Sequence, residues 1–124
     1  MNKEDLKRKR SESLQLLFED LVKEPHPILV EGPRDRDALV RGGIPEDRIF
    51  MLHGKSLLNV EDHLANNEEV ILLLDYDKEG LKLHKHFKKS FQKIGVKPNI
   101  RYWKFIRKIF DGHLDCIEYL KGYF

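Results

Sequence analysis

A run of five apolar residues, Val70 to Leu74, ends abruptly at Asp75 and constrains the fold more than any other stretch of this sequence. A strand that is apolar at every position is typical of a parallel sheet, because helices cover both faces of such a sheet. The run is far shorter than the roughly 20 apolar residues that a membrane-spanning helix needs. The sequence therefore predicts a buried central strand in a domain of the α/β class.

Strands and helices alternate along the rest of the chain, as apolar periodicity and the positions of proline and glycine indicate. The predicted strands cover residues 28–30, 49–52, 69–74 and 99–103. The predicted helices cover residues 4–24, 35–41, 59–66 and 80–94, and a last helix follows Gly112. This alternation predicts an α/β domain with a mainly parallel sheet, helices on both faces and an extra N-terminal helix. We expect one compact unit made of that helix (residues 1–25) and an α/β domain (residues 26–124).

The composition of the 124-residue chain excludes several classes of protein. Cys116 is the one cysteine, so we expect neither an internal disulfide nor a cysteine-based zinc site, and a reducing cytosol is the natural compartment. The polar start MNKEDLKRKR lacks the apolar segment of a secretory signal. A charged fraction of 35% with a net charge of only +2 is typical of a soluble surface rich in ion pairs. We therefore expect a cytoplasmic protein with no membrane partner.

Acidic residues follow two of the predicted strands at the points where those strands end. Glu31 comes directly after the first strand, and Asp75 and Asp77 come after the third. In a sheet ordered 2-1-3-4 these strands are neighbours, so we expect the three carboxylates to share one crevice. Carboxylates this close repel one another, and a hard divalent cation such as Mg²⁺ removes the repulsion at neutral pH. Capping of helix N-termini is the alternative role; it is the preferred interpretation for Asp35 and stays open for Asp77.

The segments ILVEGPRDRDAL and ILLLDYDKEG, which contain these acids, resemble the two signature motifs of the Toprim domain family. That family includes topoisomerases, bacterial-type primases and several nucleases, and its members share a compact α/β fold. The resemblance therefore implies a Rossmann-like, four-stranded parallel sheet in the order 2-1-3-4. The resemblance covers about residues 26–121 and is to the small, stand-alone Toprim proteins of archaea. It implies that Asp75 and Asp77 bind Mg²⁺, for which Mn²⁺ is an expected substitute, and that Glu79 is a further metal ligand. It also implies that Glu31 binds a metal or acts as the catalytic acid or base.

The Toprim resemblance implies a Mg²⁺-dependent enzyme that cleaves or transfers phosphodiesters in nucleic acid, either RNA or DNA. A small nuclease of RNA maturation or DNA processing is the preferred function. The alternative is a non-catalytic module that binds nucleic acid or supports assembly and retains the metal site. A homodimer is an expected form of so small a module. Phosphatases and phospho-accepting receiver domains fit worse, because they place their paired acids after the first strand rather than the third.

Lysines recur at intervals of three and four residues along the helix that follows the central strand. This lysine stripe consists of Lys78, Lys82, Lys85, Lys89 and Lys93, and we expect His84, His86 and Lys88 to widen it. It is either the solvated face of an amphipathic helix or a track for a phosphate backbone that leads to the metal, and both interpretations stay open. Lys55, after the second strand, is a further candidate contact to a phosphate. We expect Trp103, in contrast, to lie in the core.

Overall fold

Four strands form one parallel sheet in the computed structural model, which describes all residues from 1 to 124. The strands are β1 (Ile28–Val30), β2 (Ile49–Met51), β3 (Glu69–Leu72) and β4 (Lys97–Asn99). Their order is β2-β1-β3-β4, so the predicted order is confirmed. Leu29 of β1 pairs with Phe50 of β2 on one side and with Leu72 of β3 on the other. This register places the ends of β1 and β3 side by side at the centre of the sheet.

Five α-helices surround the sheet, together with two 3₁₀ helices. The α-helices are α1 (Lys3–Lys23), α2 (Pro33–Arg41), α3 (Leu57–Leu64), α4 (Lys78–Lys93) and α5 (Arg101–Ile109). The 3₁₀ helices are Glu46–Arg48 and a C-terminal one, Ile117–Tyr123. No helix combines the length and the apolar character that crossing a membrane requires.

Two apolar cores, one on each face of the sheet, hold the layers together. The larger core contains 16 buried residues and joins α1, α2, α5 and the C-terminal 3₁₀ helix to the sheet. The smaller core contains 9 buried residues, among them Val60 of α3 and Phe87 and Phe91 of α4. Ile71 of β3 lies in the larger core and Leu72 lies in the smaller one. The unbroken apolar run therefore reflects burial on both faces, and the expected helices on both faces are confirmed.

The predicted position of the fourth strand, residues 99–103, is wrong. β4 ends at Asn99, and α5 begins at Arg101. The side-chain oxygen of Asn99 accepts a hydrogen bond from the Arg101 N–H at 2.9 Å, and the chain turns there. Tyr102 and Ile106 are buried four residues apart, which is the spacing of one helix face. That periodicity outweighs the preference of aromatic residues for strands.

The last helix follows Gly112, as predicted, but it is a 3₁₀ helix rather than an α-helix. It covers Ile117–Tyr123. Ile117 and Leu120 are fully buried, and Tyr123 packs against the same core. This spacing of three residues matches the period of a 3₁₀ helix. The segment packs against α2 and α1 and so closes the larger core.

Candidate metal centre

The structure brings Glu31 and Asp75 into contact at the carboxyl ends of β1 and β3. Glu31 Oε2 accepts a hydrogen bond from the backbone N–H of Asp75 at 2.8 Å. Asp75 is only 8% exposed, and its Oδ1 accepts a hydrogen bond from the N–H of Ile117 at 2.8 Å. The ends of two neighbouring strands and the start of the C-terminal 3₁₀ helix therefore meet at one point. Such a crevice, beyond the carboxyl ends of parallel strands, is where α/β sheets bind ligands.

Asp77 is both a helix cap and a wall of this crevice. Its Oδ1 accepts a hydrogen bond from the N–H of Gly80 at 2.8 Å, so the capping role left open by the sequence is confirmed. Its Oδ2 lies 4.0 Å from the Sγ of Cys116. Asp75, Asp77 and Cys116 each present one ligand atom, and these atoms lie within 4.8 Å of one another. Capping and metal binding are therefore compatible, because they use different oxygens of Asp77.

Each of the three central acids is held by one backbone N–H. Glu31 is held by Asp75, Asp75 by Ile117, and Asp77 by Gly80. In each carboxylate the other oxygen accepts no hydrogen bond from the backbone. These bonds orient the side chains before any ligand binds, which is what a preorganised metal site requires.

Asp35 and two residues of the C-terminal segment complete the crevice. Asp35 Oδ2 accepts a hydrogen bond from the N–H of Gly32 at 3.0 Å, so its predicted capping role is confirmed. Asp35 is also 7% exposed, and its pKa is raised to about 6, by burial first and then by the charge of Asp75. Cys116 and Glu118 lie on either side of Ile117 and were not predicted from the sequence. They belong to a segment that has no motif, so only the tertiary fold reveals them.

We call five residues of this crevice the acidic cluster: Glu31, Asp35, Asp75, Asp77 and Glu118. The pKa of Glu31 is raised from 4.5 to about 7, chiefly by burial and further by the charges of Asp75 and Asp77. The pKa of Asp75 is also raised, by burial first and then by the charges of Asp77 and Glu118. No lysine or arginine forms an ion pair with any member of the cluster. The negative charges are therefore not compensated by the protein itself.

The donor set of the crevice fits a hard divalent cation. Carboxylate oxygens are the ligands that Mg²⁺ and Mn²⁺ prefer. A bound cation would also remove the repulsion among the acids. Burial and the nearby acids raise the pKa of the Cys116 thiol to about 12, so the thiol is neutral near pH 7 and a poor ligand for Mg²⁺. The residues that would hold such a cation are thus Asp75 and Asp77, with Glu31 beside them in contact with Asp75.

The other predicted site residues lie on the surface. Glu79 is exposed in the first turn of α4 and makes no hydrogen bond or ion pair through its side chain, so its role as a metal ligand stays a prediction. The lysine stripe is exposed along α4, and none of its lysines forms an ion pair. Lys55 is exposed as well, and its Nζ donates a hydrogen bond to the Met51 carbonyl at 3.2 Å.

The prediction that His84 widens the lysine stripe is wrong. His84 is buried and stacks on Trp103, with ring centroids 3.9 Å apart. Burial, followed by the charges of Lys88 and Lys104, lowers the pKa of His84 to about 4, so the ring is neutral. Trp103 is a core residue, as expected, and its Nε1 donates a hydrogen bond to the Leu74 carbonyl at 2.9 Å.

The acidic cluster should make the metal-free protein less stable as the pH rises from about 5 to about 8. The pKa of Glu31 is about 7 in the folded state against an ordinary value of 4.5, and Asp35 shifts in the same direction. Between about pH 5 and pH 7 the folded protein therefore binds more protons than the unfolded chain. The free energy of unfolding falls as the pH rises, because the folded protein has to release these protons. Because these side chains are partly screened by solvent, we expect a fall on the order of 1 kcal/mol.

Urea unfolding in EDTA at a series of pH values measures this fall. Glu31→Gln should remove much of the pH dependence, whereas Glu68→Gln, at an exposed acid outside the cluster, should leave it unchanged. A wild-type stability that rises from pH 5 to pH 8 in EDTA would contradict the repulsion inferred among the acids.

Comparison with known proteins gives relatives from archaea and a related solved structure. The chain is 31% identical to a UPF0292 protein of Methanosarcina barkeri over 123 residues, which cover 96% of this chain and 85% of that protein. It is 34% identical to a UPF0292 protein of Thermoplasma volcanium over 83 residues, or 66% of this chain and 70% of that protein. A solved structure of a protein from Aquifex aeolicus matches with a TM-score of 0.75 and 29% identity, and covers 86% of this chain and 96% of that chain. No protein-family model matches the sequence.

These similarities extend over the whole fold rather than over one motif. The alignment with the Methanosarcina barkeri protein leaves out only 4% of this chain, so it includes the segments that carry Glu31, Asp75 and Asp77. The Aquifex aeolicus structure matches the α/β architecture over almost its entire length. By its identity to these archaeal relatives over most of their length, the chain belongs to the UPF0292 protein family.

Proposed function

We propose that the protein is a Mg²⁺-dependent enzyme of the Toprim class that cleaves or transfers phosphodiesters in nucleic acid. A small nuclease of RNA maturation or DNA processing is the form of this activity that we favour. The observation that carries the proposal is that Glu31 contacts Asp75, and Asp75 lies beside Asp77, in one crevice where no lysine or arginine pairs with them. Acids that only capped helices would have no reason to converge from separate elements on one point.

The residues of the crevice have distinct parts in the proposed reaction. A bound Mg²⁺ would polarise the scissile phosphate and lower the pKa of an attacking water. Asp75 and Asp77, each oriented by a backbone N–H, would hold the ion through their other oxygens. Glu31 would accept the proton of that water: its pKa is about 7 in the metal-free protein, and a cation beside it would lower this pKa and keep the carboxylate ionised. Its hydrogen bond from the Asp75 N–H holds it next to Asp75 and would keep it close to an ion bound there.

The proposal is tested by incubating the protein with structured RNA and with branched DNA. We expect cleavage of at least one of these substrates in Mg²⁺ or Mn²⁺ and none in EDTA. Cleavage that persists in EDTA would exclude the metal-dependent reaction. The absence of cleavage of either class in Mg²⁺, despite binding, would favour the non-catalytic alternative.

That alternative, a module that binds nucleic acid without cleaving it, is favoured by the exposure of the lysine stripe. Five lysines without acidic partners run along α4, whose N-terminus lies at the acidic cluster. Such a stripe attracts a phosphate backbone, and each phosphate neutralised makes binding more sensitive to salt. This module would bind nucleic acid equally well in EDTA and in Mg²⁺ and would turn over no substrate.

Reversing three charges of the lysine stripe should weaken nucleic-acid binding under either proposal. The triple variant carries Lys82→Glu, Lys85→Glu and Lys89→Glu. We expect the negative slope of the logarithm of its association constant against the logarithm of the salt concentration to become shallower by about 2 to 3. The matched control carries Lys3→Glu, Lys23→Glu and Lys121→Glu, which change the net charge equally at exposed sites elsewhere. Fluorescence anisotropy over a salt series measures both variants, and equal effects in the two would remove the specific role of α4.

The proposed reaction fits a cytoplasmic location. The chain has a single cysteine, which is free, and a reducing compartment is the usual setting for such a protein. Nucleic-acid substrates and millimolar Mg²⁺ are both present there, so the location and the activity form one proposal.

A further inference from the structure

A groove between α1 and α5, with a volume of ≈ 590 Å³, lies away from the acidic cluster. The middle of the groove is lined by apolar side chains. Leu16 is 65% exposed and Phe105 is 50% exposed, and both line the groove beside the partly buried Leu17 and Ile109. Large apolar side chains exposed next to each other in a groove are typical of an interface, whereas single exposed ones are common on any surface.

The two helices that form the groove run antiparallel. At one end, Arg101 of α5 lies 3.3 Å from Glu24, just after α1. At the other end, Arg10 of α1 lies 3.4 Å from Asp111, just after α5. The groove therefore has two distinguishable ends. Residue numbers increase towards one end along α1 and towards the other end along α5.

Each end of the groove carries one charged side chain that has no partner within the chain, whereas Arg101, which also lines the groove at the Glu24 end, is paired with Glu24. Asp20 of α1 lines the groove towards the Glu24 end, and Lys108 of α5 lines it towards the Arg10 end. Both side chains are exposed, and neither forms an ion pair. The unpaired charges are therefore acidic at one end and basic at the other, with an apolar centre between them, and this arrangement is complementary to itself after rotation by half a turn.

We propose that this groove is the interface of a symmetric dimer between two copies of the chain. A two-fold axis through the centre of the groove exchanges its ends, so Asp20 of each copy faces Lys108 of the other. The same axis brings Leu16 and Phe105 of the two copies together and removes them from water. A two-fold interface uses the same patch on both subunits, and this patch has the required self-complementarity.

The dimer is independent of the proposed function. None of the groove residues belongs to the acidic cluster. Loss of the dimer and loss of metal binding are therefore separate results, and either proposal can fail while the other stands.

Light scattering on a size-exclusion column tests the apolar centre of the interface. We expect the wild-type protein to be a dimer at micromolar concentration, and Leu16→Glu and Phe105→Glu to be monomers with an unchanged circular dichroism spectrum. Leu58→Glu changes a comparably exposed leucine (64%) on α3, on the other face of the sheet, and should remain a dimer. A monomeric wild-type protein, or a dimer that survives both substitutions in the groove, would overturn the proposal.

Charge reversal tests the two-fold arrangement itself. Asp20→Lys and Lys108→Glu each place like charges opposite one another twice per dimer, so each should raise the dissociation constant by about tenfold or more. The double variant Asp20→Lys with Lys108→Glu restores opposite charges and should return the constant to within about threefold of the wild-type value. Sedimentation equilibrium measures all three variants. If the double variant loses as much free energy of dimerisation as the two single variants together, these two residues do not face each other and the proposed geometry is wrong.

Discussion

Asp75→Asn should abolish Mg²⁺-dependent cleavage and weaken Mg²⁺ binding by at least about 100-fold, since changes in residues that only support a metal ligand already cost up to that much. The substitution removes the charge at the centre of the acidic cluster. It keeps the Oδ1 that accepts the hydrogen bond from Ile117, so the segment stays in place. The same variant should be more stable than the wild-type protein in EDTA at about pH 8. The reason is that burial and neighbouring acids raise the pKa of Asp75, which means that its charged form is disfavoured in the fold.

Isothermal titration with Mg²⁺ or Mn²⁺ and urea unfolding in EDTA measure the two effects in one pair of proteins. Asp62→Asn is the matched control, because Asp62 is an exposed aspartate of α3 outside the cluster. It should leave metal affinity, cleavage and stability unchanged. Glu31→Gln should also stop cleavage, because it removes the proposed proton acceptor. If Asp75→Asn and Glu31→Gln both retain wild-type activity, the assignment of the site is wrong.

Gly80→Ala should destabilise the protein by about 2 to 3 kcal/mol, as overpacking of a close contact does. Gly80 is the third residue of α4, and a Cβ there would overlap the carbonyl oxygen of Asp75 and lie 2.9 Å from its Cα. These are backbone atoms, so no side-chain rotation relieves the contact. In an ordinary helix the same change stabilises by about 1 kcal/mol, so the expected sign is reversed. The close approach brings the start of α4, and with it Asp77, next to Asp75.

Gly122→Ala provides the control for this prediction. A Cβ at Gly122 would meet no atom within 4 Å, and its backbone is not in the left-handed region. Urea unfolding should therefore show a change near zero for Gly122→Ala and a marked loss for Gly80→Ala. Gly80→Ala should also weaken Mn²⁺ binding, because relief of the overlap moves the start of α4, which Asp77 caps, away from Asp75. Equal stability of the two variants would show that the start of α4 does not hold the crevice in shape.

The sheet and two sides of the crevice were predictable from the sequence because both depend on local patterns. The apolar run Val70 to Leu74 indicates a strand covered on both faces, and that fixes the α/β class. Once β1 and β3 are neighbours, Glu31 and Asp75 have to meet, since parallel strands end at the same edge of a sheet. These local patterns do not determine the order of the strands; the order 2-1-3-4 is what the resemblance to the Toprim family implies, and it is the order that the structure has.

The remaining features depend on tertiary packing or on a choice between two local patterns. Cys116 and Glu118 flank Ile117, whose backbone N–H donates a hydrogen bond to Asp75 Oδ1 and so places this segment at the crevice. Nothing in the sequence of the segment indicates this contact. The strand predicted over residues 99–103 failed because aromatic residues favour strands while their spacing favours a helix. His84 was placed on the lysine stripe although it follows Lys82 by two residues, and that is about 200° around a helix and therefore on the opposite face.

A crystal soaked in Mn²⁺ and measured for anomalous scattering tests the metal centre most directly. The proposed site predicts an anomalous peak in the crevice between the carboxylates of Asp75 and Asp77, with Glu31 beside it. The peak should be absent in crystals of Asp75→Asn soaked in the same way. A wild-type crystal that shows no peak there at a saturating concentration of Mn²⁺ would contradict the proposal that the acidic cluster binds a divalent metal.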